Sequence, residues 1–385
     1  MPLRIVVAPQ AFKGSLAADG VAEAIANGLR DVWPDAAIDL IPVADGGEGT
    51  VRALVEATHG EYRESAVRDP LGRTVRARWG IIDDGATAVV EMAAASGLPL
   101  LAERERDPLR ASSFGTGELL REAARSGARR VIVGLGGSAT NDGGAGILRA
   151  LGLRFVDEAG ADVGEGGAAL ARVHRIEGDV DGAIKGVEIL AASDVRNPLT
   201  GAEGASAVFG PQKGATPDDV AVLDRALTRF ADVVARHTGR DVRDEAGAGA
   251  AGGAGFALRA VLGAEIRSGA ELVLEAARFD ARVAHADLCV TGEGRIDGQS
   301  AFGKASVTVA RHARRARVPV IAVVGSLGSG YERALAEGIA VAEPLATGPA
   351  DLPTLMRDAA ALIRAAAARA ARAVQVGREL GTVSR

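Results

Sequence analysis

Residues 4–58 read RIVVAPQAFKGSLAADGVAEAIANGLRDVWPDAAIDLIPVADGGEGTVRALVEAT, and the order of patterns within them decides the fold class. Residues 4–8 are a short apolar run, as in a parallel strand buried on both faces. After a loop at 9–15, Leu16, Val21, Ile25 and Leu29 recur at helical spacing across 16–30. Residues 38–43 are a second apolar run. The loop Ala44-Asp45-Gly46-Gly47-Glu48-Gly49-Thr50 and a helix to about Thr58 follow. Strand, helix, strand, helix predicts a parallel sheet flanked by helices.

Working outward, the pattern changes near residue 61. Segments 64–67, 74–82 and 86–92 have strand character, separated by turns at Asp69-Pro70-Leu71-Gly72 and Asp83-Asp84-Gly85. They predict an antiparallel meander. The alternating rhythm returns with a helix at 116–126, a strand at 130–135, a loop at 136–144, a helix at 145–151 and a strand at 187–192. Thr216 and Pro217 supply an N-cap and a first helical residue for a long helix to about 237. A glycine-rich run at 247–255 opens another helix. Strands at 287–291 and 318–324 flank a helix at 307–315, and 352–374 form an Ala/Arg-rich terminal helix. The expected fold is α/β: a Rossmann-like doubly wound parallel sheet domain with a second, inserted mixed α/β domain. Residues 1–60, 115–192 and 283–385 are expected in the first, 61–114 and 193–282 in the second.

The chain has 385 residues, 48% of them hydrophobic and 25% charged, which is ordinary globular material. Aromatics make up only 3%, so its core is expected to be packed from small and aliphatic side chains. A formal charge of −5 excludes a general electrostatic pull toward nucleic acid or anionic membrane. The single cysteine, Cys289, excludes an intramolecular disulfide and a Cys-based zinc site. No apolar stretch reaches the ~20 residues needed to span a bilayer. The first residues run straight into a strand without a leader, so a cytoplasmic location is expected.

Lysine is scarce in a telling way. Of 45 Lys plus Arg only Lys13, Lys185, Lys213 and Lys304 are lysine, and Lys13, Lys213 and Lys304 each adjoin glycine in a loop. A compact ammonium beside flexible backbone amides suits phosphate oxygens. Four loops also combine glycines with acidic or amide groups: 45–50, 134–146, 247–253 and 291–298. Glycine lets backbone N–H groups approach a polyanion, and carboxylates there suit a divalent cation or a substrate proton.

Rival motifs are weaker. Residues 298–305 approach a phosphate-binding P-loop, but Ala305 replaces the metal-binding hydroxyl, and the segment starts seven residues after the expected strand end at Thr291. Gly247-x-Gly249-x-x-Gly252 follows no strand. Gly134-x-Gly136-x-x-Ala139 does follow one, with Asp157 at a ribose-binding distance, so an NAD-linked hydroxy-acid dehydrogenase is one alternative. A two-lobe small-ligand binding protein is another.

Taken in order, the motifs resemble those of the bacterial glycerate kinase family (type I, glycerate 2-kinase-like). They are Ala8-Pro9-Gln10-Ala11-Phe12-Lys13-Gly14-Ser15-Leu16; the loop at 42–50; Glu91-Met92-Ala93-Ala94-Ala95-Ser96-Gly97-Leu98; Phe114-Gly115-Thr116-Gly117-Glu118-Leu119; and the 136–146 loop. Later come Ser193-Asp194-Val195-Arg196-Asn197-Pro198-Leu199, Phe209-Gly210-Pro211-Gln212-Lys213-Gly214-Ala215, the 247–255 run and Thr291-Gly292-Glu293-Gly294-Arg295-Ile296-Asp297. Gln10 stands where the family often has Asp, and Arg196 where Thr is common.

The resemblance implies ATP and Mg²⁺ as cosubstrates, D-glycerate as acceptor, and phosphoglycerate as product, with 2-phosphoglycerate favoured over 3-phosphoglycerate. It implies no nucleic-acid or membrane partner, and is compatible with a monomer or a homodimer. On phosphoryl-transfer chemistry, Lys13 and Lys213 are expected to neutralise the transferring group or the carboxylate, and Asp194 to act as base. Asp45 and Asp297 are expected to hold the metal, Asp45 counting also among the catalytic groups. Gly136, Gly137, Ser138, Asn141, Asp142, Gly249 and Gly252 are expected around ATP; Arg295, Asn197, Glu293 and Lys304 around glycerate.

Overall fold

The computed structural model describes residues 2–298 and 304–383. Its strands are β1 (Arg4–Pro9), β2 (Ala37–Leu40), β3 (Glu61–Arg68), β4 (Thr74–Ile82), β5 (Thr87–Glu91), β6 (Arg130–Gly134) and β7 (Arg154–Val156). Then come β8 (Arg175–Glu177), β9 (Glu188–Ala192), β10 (Glu265–Arg267), β11 (Leu288–Ile296), β12 (Val320–Leu327) and β13 (Val341–Pro344). The chain divides into two compact units: residues 1–45 with 270–385, and the continuous run 46–269.

The first unit holds a parallel sheet in the order β13-β12-β11-β1-β2. Apolar β1 lies at its interior, with Ile5 opposite Leu288 and Ile38. Val21, Ile25 and Leu29 of the helix Ala18–Arg30 pack on Ile5, Val7, Val290 and Val323, together with Ile363, Ala366 and Ala370 of the terminal helix Ala359–Val383. The spacing that predicted the helix is thus the spacing that buries it.

The second unit holds a sheet in the order β10-β9-β6-β5-β4-β3. Its first four strands run parallel, and β5-β4-β3 form the expected antiparallel meander. A two-stranded antiparallel pair, β7-β8, accompanies it. Phe230, on the long helix Pro217–Thr238, meets Phe155 and Phe256 edge-on with centroids at 5.3 and 6.2 Å. That helix opens as its sequence dictates: Thr216 accepts from the Asp219 amide, Asp219 accepts from the Thr216 amide, and Pro217 takes the first turn.

Three expectations change. Residues 46–60 and 115–192, read with the chain ends, lie in the second unit, because β6 pairs with β5 and β9 rather than with β1. Residues 270–282, read with the insertion, lie in the first unit. The segment 291–296, read as a loop, is strand: Gly292 pairs with Val323 and Arg295 with Ser326. Among the described residues no helix is long and apolar enough to cross a membrane.

Candidate active site

In the second unit the parallel strands β5, β6 and β9 deliver Glu91, the 135–144 loop and the 193–198 segment at their carboxyl ends. Open parallel sheets place ligand sites at those ends. Lys213, on the single turn Pro211–Lys213, is only 2% exposed. Its Nζ donates to Ser138 Oγ at 2.9 Å and to the Thr140 carbonyl at 2.7 Å. Burial drives the ammonium down to about 7, with the charge of Asp142 acting the other way. Asn141 donates through Nδ2 to Ser206 Oγ at 2.9 Å. Its Oδ1 and the neighbouring Thr140 Oγ1 are buried without a hydrogen-bond partner. Orphaned buried acceptors cost stability and mark a place where a donor from elsewhere fits.

Asp142 is bonded within its own loop. It is fully buried and accepts from the Ser113 amide and hydroxyl at 2.8 Å each, and from the amides of Gly144 and Gly146 at 3.1 Å each. Burial pushes its carboxyl up while those bonds pull against it. Its oxygens hold the loop that opens the helix Ala145–Ala150. Three glycines also turn inward. The Gly136 amide donates to the Gly46 carbonyl and the Gly249 amide to the Asn197 carbonyl, each at 2.9 Å. Gly252 takes φ 68°, and a Cβ there would stand 2.0 Å from the Thr140 oxygen. It is glycine because the 140–143 backbone presses against it. Gly137 also has a left-handed φ, 75°, and its carbonyl accepts from the Leu98 amide at 2.8 Å.

The helix after β6 starts only at Ala145, and the Gly136 amide is already used inside the protein. A dinucleotide-binding turn needs both the helix and the amides close at hand. Asp194 is half-buried two residues past β9. Asn197 donates through Nδ2 to the Glu203 carbonyl at 2.8 Å.

The first unit carries its own cluster. Glu293, 4% exposed on β11, accepts from the Ser306 hydroxyl and lies 3.7 Å from the Lys304 ammonium. Lys304 also reaches Asp297 at 3.7 Å, and Asp297 reaches Arg295 Nε at 3.3 Å. Lys13 and Asp45 form a 3.8 Å pair. Burial pushes the Glu293 carboxyl up; Ser306 and Lys304 lower it, and the charges of Asp297 and Asp45 raise it. Hence Asp45, Glu293, Asp297 and Lys304 share one electrostatic neighbourhood. Among the described residues no group of three or more His, Cys, Asp or Glu is arranged to hold a metal. Hard carboxylate oxygens are nonetheless a fitting donor set for Mg²⁺, which takes one or two carboxylates plus phosphate oxygens and water. Because β11 runs to Ile296, the P-loop-like stretch begins two residues past a strand rather than seven. Its residues 299–303 lie outside the described residues.

Sequence reasoning missed Glu91, Thr140, Ser206 and Ser306. Glu91 alone left a signal: it closes the apolar run of β5 and precedes a small-residue stretch.

Comparison with known proteins shows what the chain is similar to. The family model described as the Glycerate kinase family matches residues 5–375. The chain is 47% identical to a glycerate kinase of Bacillus subtilis (strain 168) over 359 residues, 93% of this chain and 94% of the relative. It is 49% identical to the glycerate 2-kinase of Escherichia coli (strain K12) over 326 residues, 84% of this chain and 86% of the relative. A crystal structure assigned as a glycerate kinase 2 of Salmonella typhimurium LT2 shares 46% identity at a TM-score of 0.85, covering 98% of this chain and all of that one.

Proposed function

Because the chain belongs to the glycerate kinase family, we propose that it transfers the γ-phosphoryl group of ATP to the 2-hydroxyl of D-glycerate in the cytoplasm. Glycerate kinase activity follows from that membership. The observation that carries the reading is 47–49% identity to kinases named for this substrate, over most of both chains. The 2-position is supported by the name of the E. coli relative.

Phosphoryl transfer asks a protein for positioning and charge neutralisation more than for covalent chemistry. In this reading Lys213 presents its ammonium through the Ser138–Thr140 turn toward phosphoryl oxygens, and the buried Asn141 and Thr140 oxygens receive donors from a bound ligand. Asp194 takes the proton from the acceptor hydroxyl, with Asn197 bracing its segment. Asp45 and Asp297 would hold Mg²⁺, which would neutralise phosphate charge. Lys13, Lys304 and Arg295 balance those carboxylates, and Arg295 offers a guanidinium fork to the glycerate carboxylate. Glu293 anchors Lys304 and Ser306.

A coupled assay tests this. ATP plus D-glycerate should release ADP, and enolase alone should convert the product to phosphoenolpyruvate. A requirement for phosphoglycerate mutase before enolase would assign the 3-hydroxyl instead. ADP release that ignores glycerate would sink the reading.

A further inference from the structure

We propose that Glu91 is a positioning residue for this phosphoryl transfer, its carboxylate filling the amide nest that opens the helix Thr50–Thr58 and thereby fixing the 46–50 turn. The inference rests on the function proposed above. Glu91 ends β5 and is 7% exposed. Its Oε1 accepts from the Val51 amide at 2.5 Å, and the nearby amides of Gly49 and Thr50 also favour the ionised carboxylate. The helix has no side-chain cap from its own N-cap residue, Gly49. A strand from elsewhere in the unit supplies the anion that a helix N-terminus favours. A turn that reads as a phosphate cradle in the sequence is therefore already occupied by a protein carboxylate.

The turn is seated on strand ends. Gly46 accepts from the Gly136 amide, and a Cβ on Gly46 would come within 2.3 Å of the Ala192 carbonyl. A Cβ on Gly134 would lie 2.9 Å from the Gly46 oxygen and 3.4 Å from Glu91 Cγ. Turn, strand ends and carboxylate form one stack. Asp45 precedes Gly46 directly, Ser138 follows Gly136 by two residues, and Asp194 follows Ala192 by two. Three groups assigned to the reaction thus leave the chain at the edges of what Glu91 holds.

An ionisable side chain is a costly way to fill this space. Burial raises the Glu91 carboxyl to about 7 against the pull of the three amides, and the charge of Glu48 on the turn adds to the rise. The neighbouring cations are engaged elsewhere: Arg52 in the first helical turn donates to Glu56 at 2.9 Å, and Arg78 on β4 lies over Tyr62 and beside Glu64, while residues 131–136 are uncharged. The sign follows. A carboxyl raised above its unfolded value of 4.5 stabilises the fold fully below pH 4.5, and that contribution is lost as pH rises through about 7. Ionised Glu91 holds the turn at the expense of stability, a pattern found where a group serves function.

The test compares wild type, Glu91→Gln and Glu91→Asp in kcat, KM and thermal unfolding from pH 5.5 to 9. Wild-type kcat/KM should carry a limb that rises through about pH 7, set against the fall as Lys213 deprotonates in every variant. Glu91→Gln should lose about 10–100-fold at pH 8, lack that rise, and melt no lower than wild type; Glu91→Asp should recover part of the loss. Activity within twofold of wild type, a persisting pH limb in Glu91→Gln, or a melting temperature that falls in step with activity each overturn the proposal. Should Glu91→Gln fail to fold, amide exchange in wild type decides. Protection at Val51, corrected for its intrinsic rate, must weaken below about pH 7, and unchanged protection refutes the idea. Exchange needs no turnover, so a wild type without glycerate-dependent ADP release overturns the functional reading separately.

Discussion

The Lys213 ammonium nitrogen stands 2.7 Å from the Thr140 carbonyl oxygen, shielded from solvent inside the second unit. Its partners there are neutral oxygens, so the charge is held at a cost and is available to an incoming anion. Lys213→Met keeps the stem and removes the charge. It should lower kcat/KM by about 10²–10³, the scale for deleting one transition-state donor. Because the folded value of about 7 lies below 10.5, the stability contribution is present above pH 10.5 and lost as pH falls through about 7. Wild-type melting temperature should therefore rise from pH 7 to 10 relative to Lys213→Met, as scanning calorimetry can show.

Asp194→Asn tests the assignment of the base. General-base catalysis contributes about 10²–10⁴-fold, so kcat should fall at least a hundredfold with little change in the KM for ATP. A loss under tenfold would move the role to another carboxylate.

Metal dependence separates Asp297 from Asp194. Chelation with EDTA should abolish turnover and added Mg²⁺ restore it. Asp297→Asn should raise the half-saturating Mg²⁺ concentration about tenfold, as expected where one of two carboxylate ligands is lost, and saturating Mg²⁺ should recover much of kcat. Initial rates across a Mg²⁺ titration check this.

Two glycines with positive φ should respond differently to alanine. At Gly252 the new Cβ would collide with the Thr140 oxygen at 2.0 Å, whereas at Gly72, φ 86°, nothing stands within 4 Å. Gly252→Ala should cost about 3 kcal/mol or more, and Gly72→Ala about 1 kcal/mol, for backbone strain alone. Urea unfolding of both variants gives the comparison.

Local patterns in the sequence carried far. The capped start at Thr216, the buried run at Ile5–Val7 and the meander from Glu61 are properties of short stretches, and each element formed where its residues dictate. Partner choice is not local. The apolar run Val131–Val133 reads as a parallel strand next to any other, and only packing assigns it to Val89 and Leu190. The same limit governs the site. Lys213 and Ser138 were legible because each stands in a glycine loop, and the structure joins them across 75 positions. At Gly136, Gly249 and Gly252 the sequence could not reveal the close backbone packing, because packing and phosphate binding ask for the same missing side chain. Glu91 stood in a quoted motif and closed an apolar run, but its partner is a backbone amide 40 positions earlier, so its role could not be read there.

The interior strand β1 lies between β2, which follows it closely, and β11, its partner 283 residues later in the chain. At about 5–20 residues per second of synthesis, roughly 15–60 seconds separate the emergence of these neighbours from the ribosome. In that interval the run 46–269, which needs nothing downstream for its own sheet, can complete itself while β1 waits with one edge open. A nascent chain that stalls before Leu288 therefore carries a finished inner body and a bare apolar strand, the kind of edge that chaperones bind and that aggregation exploits.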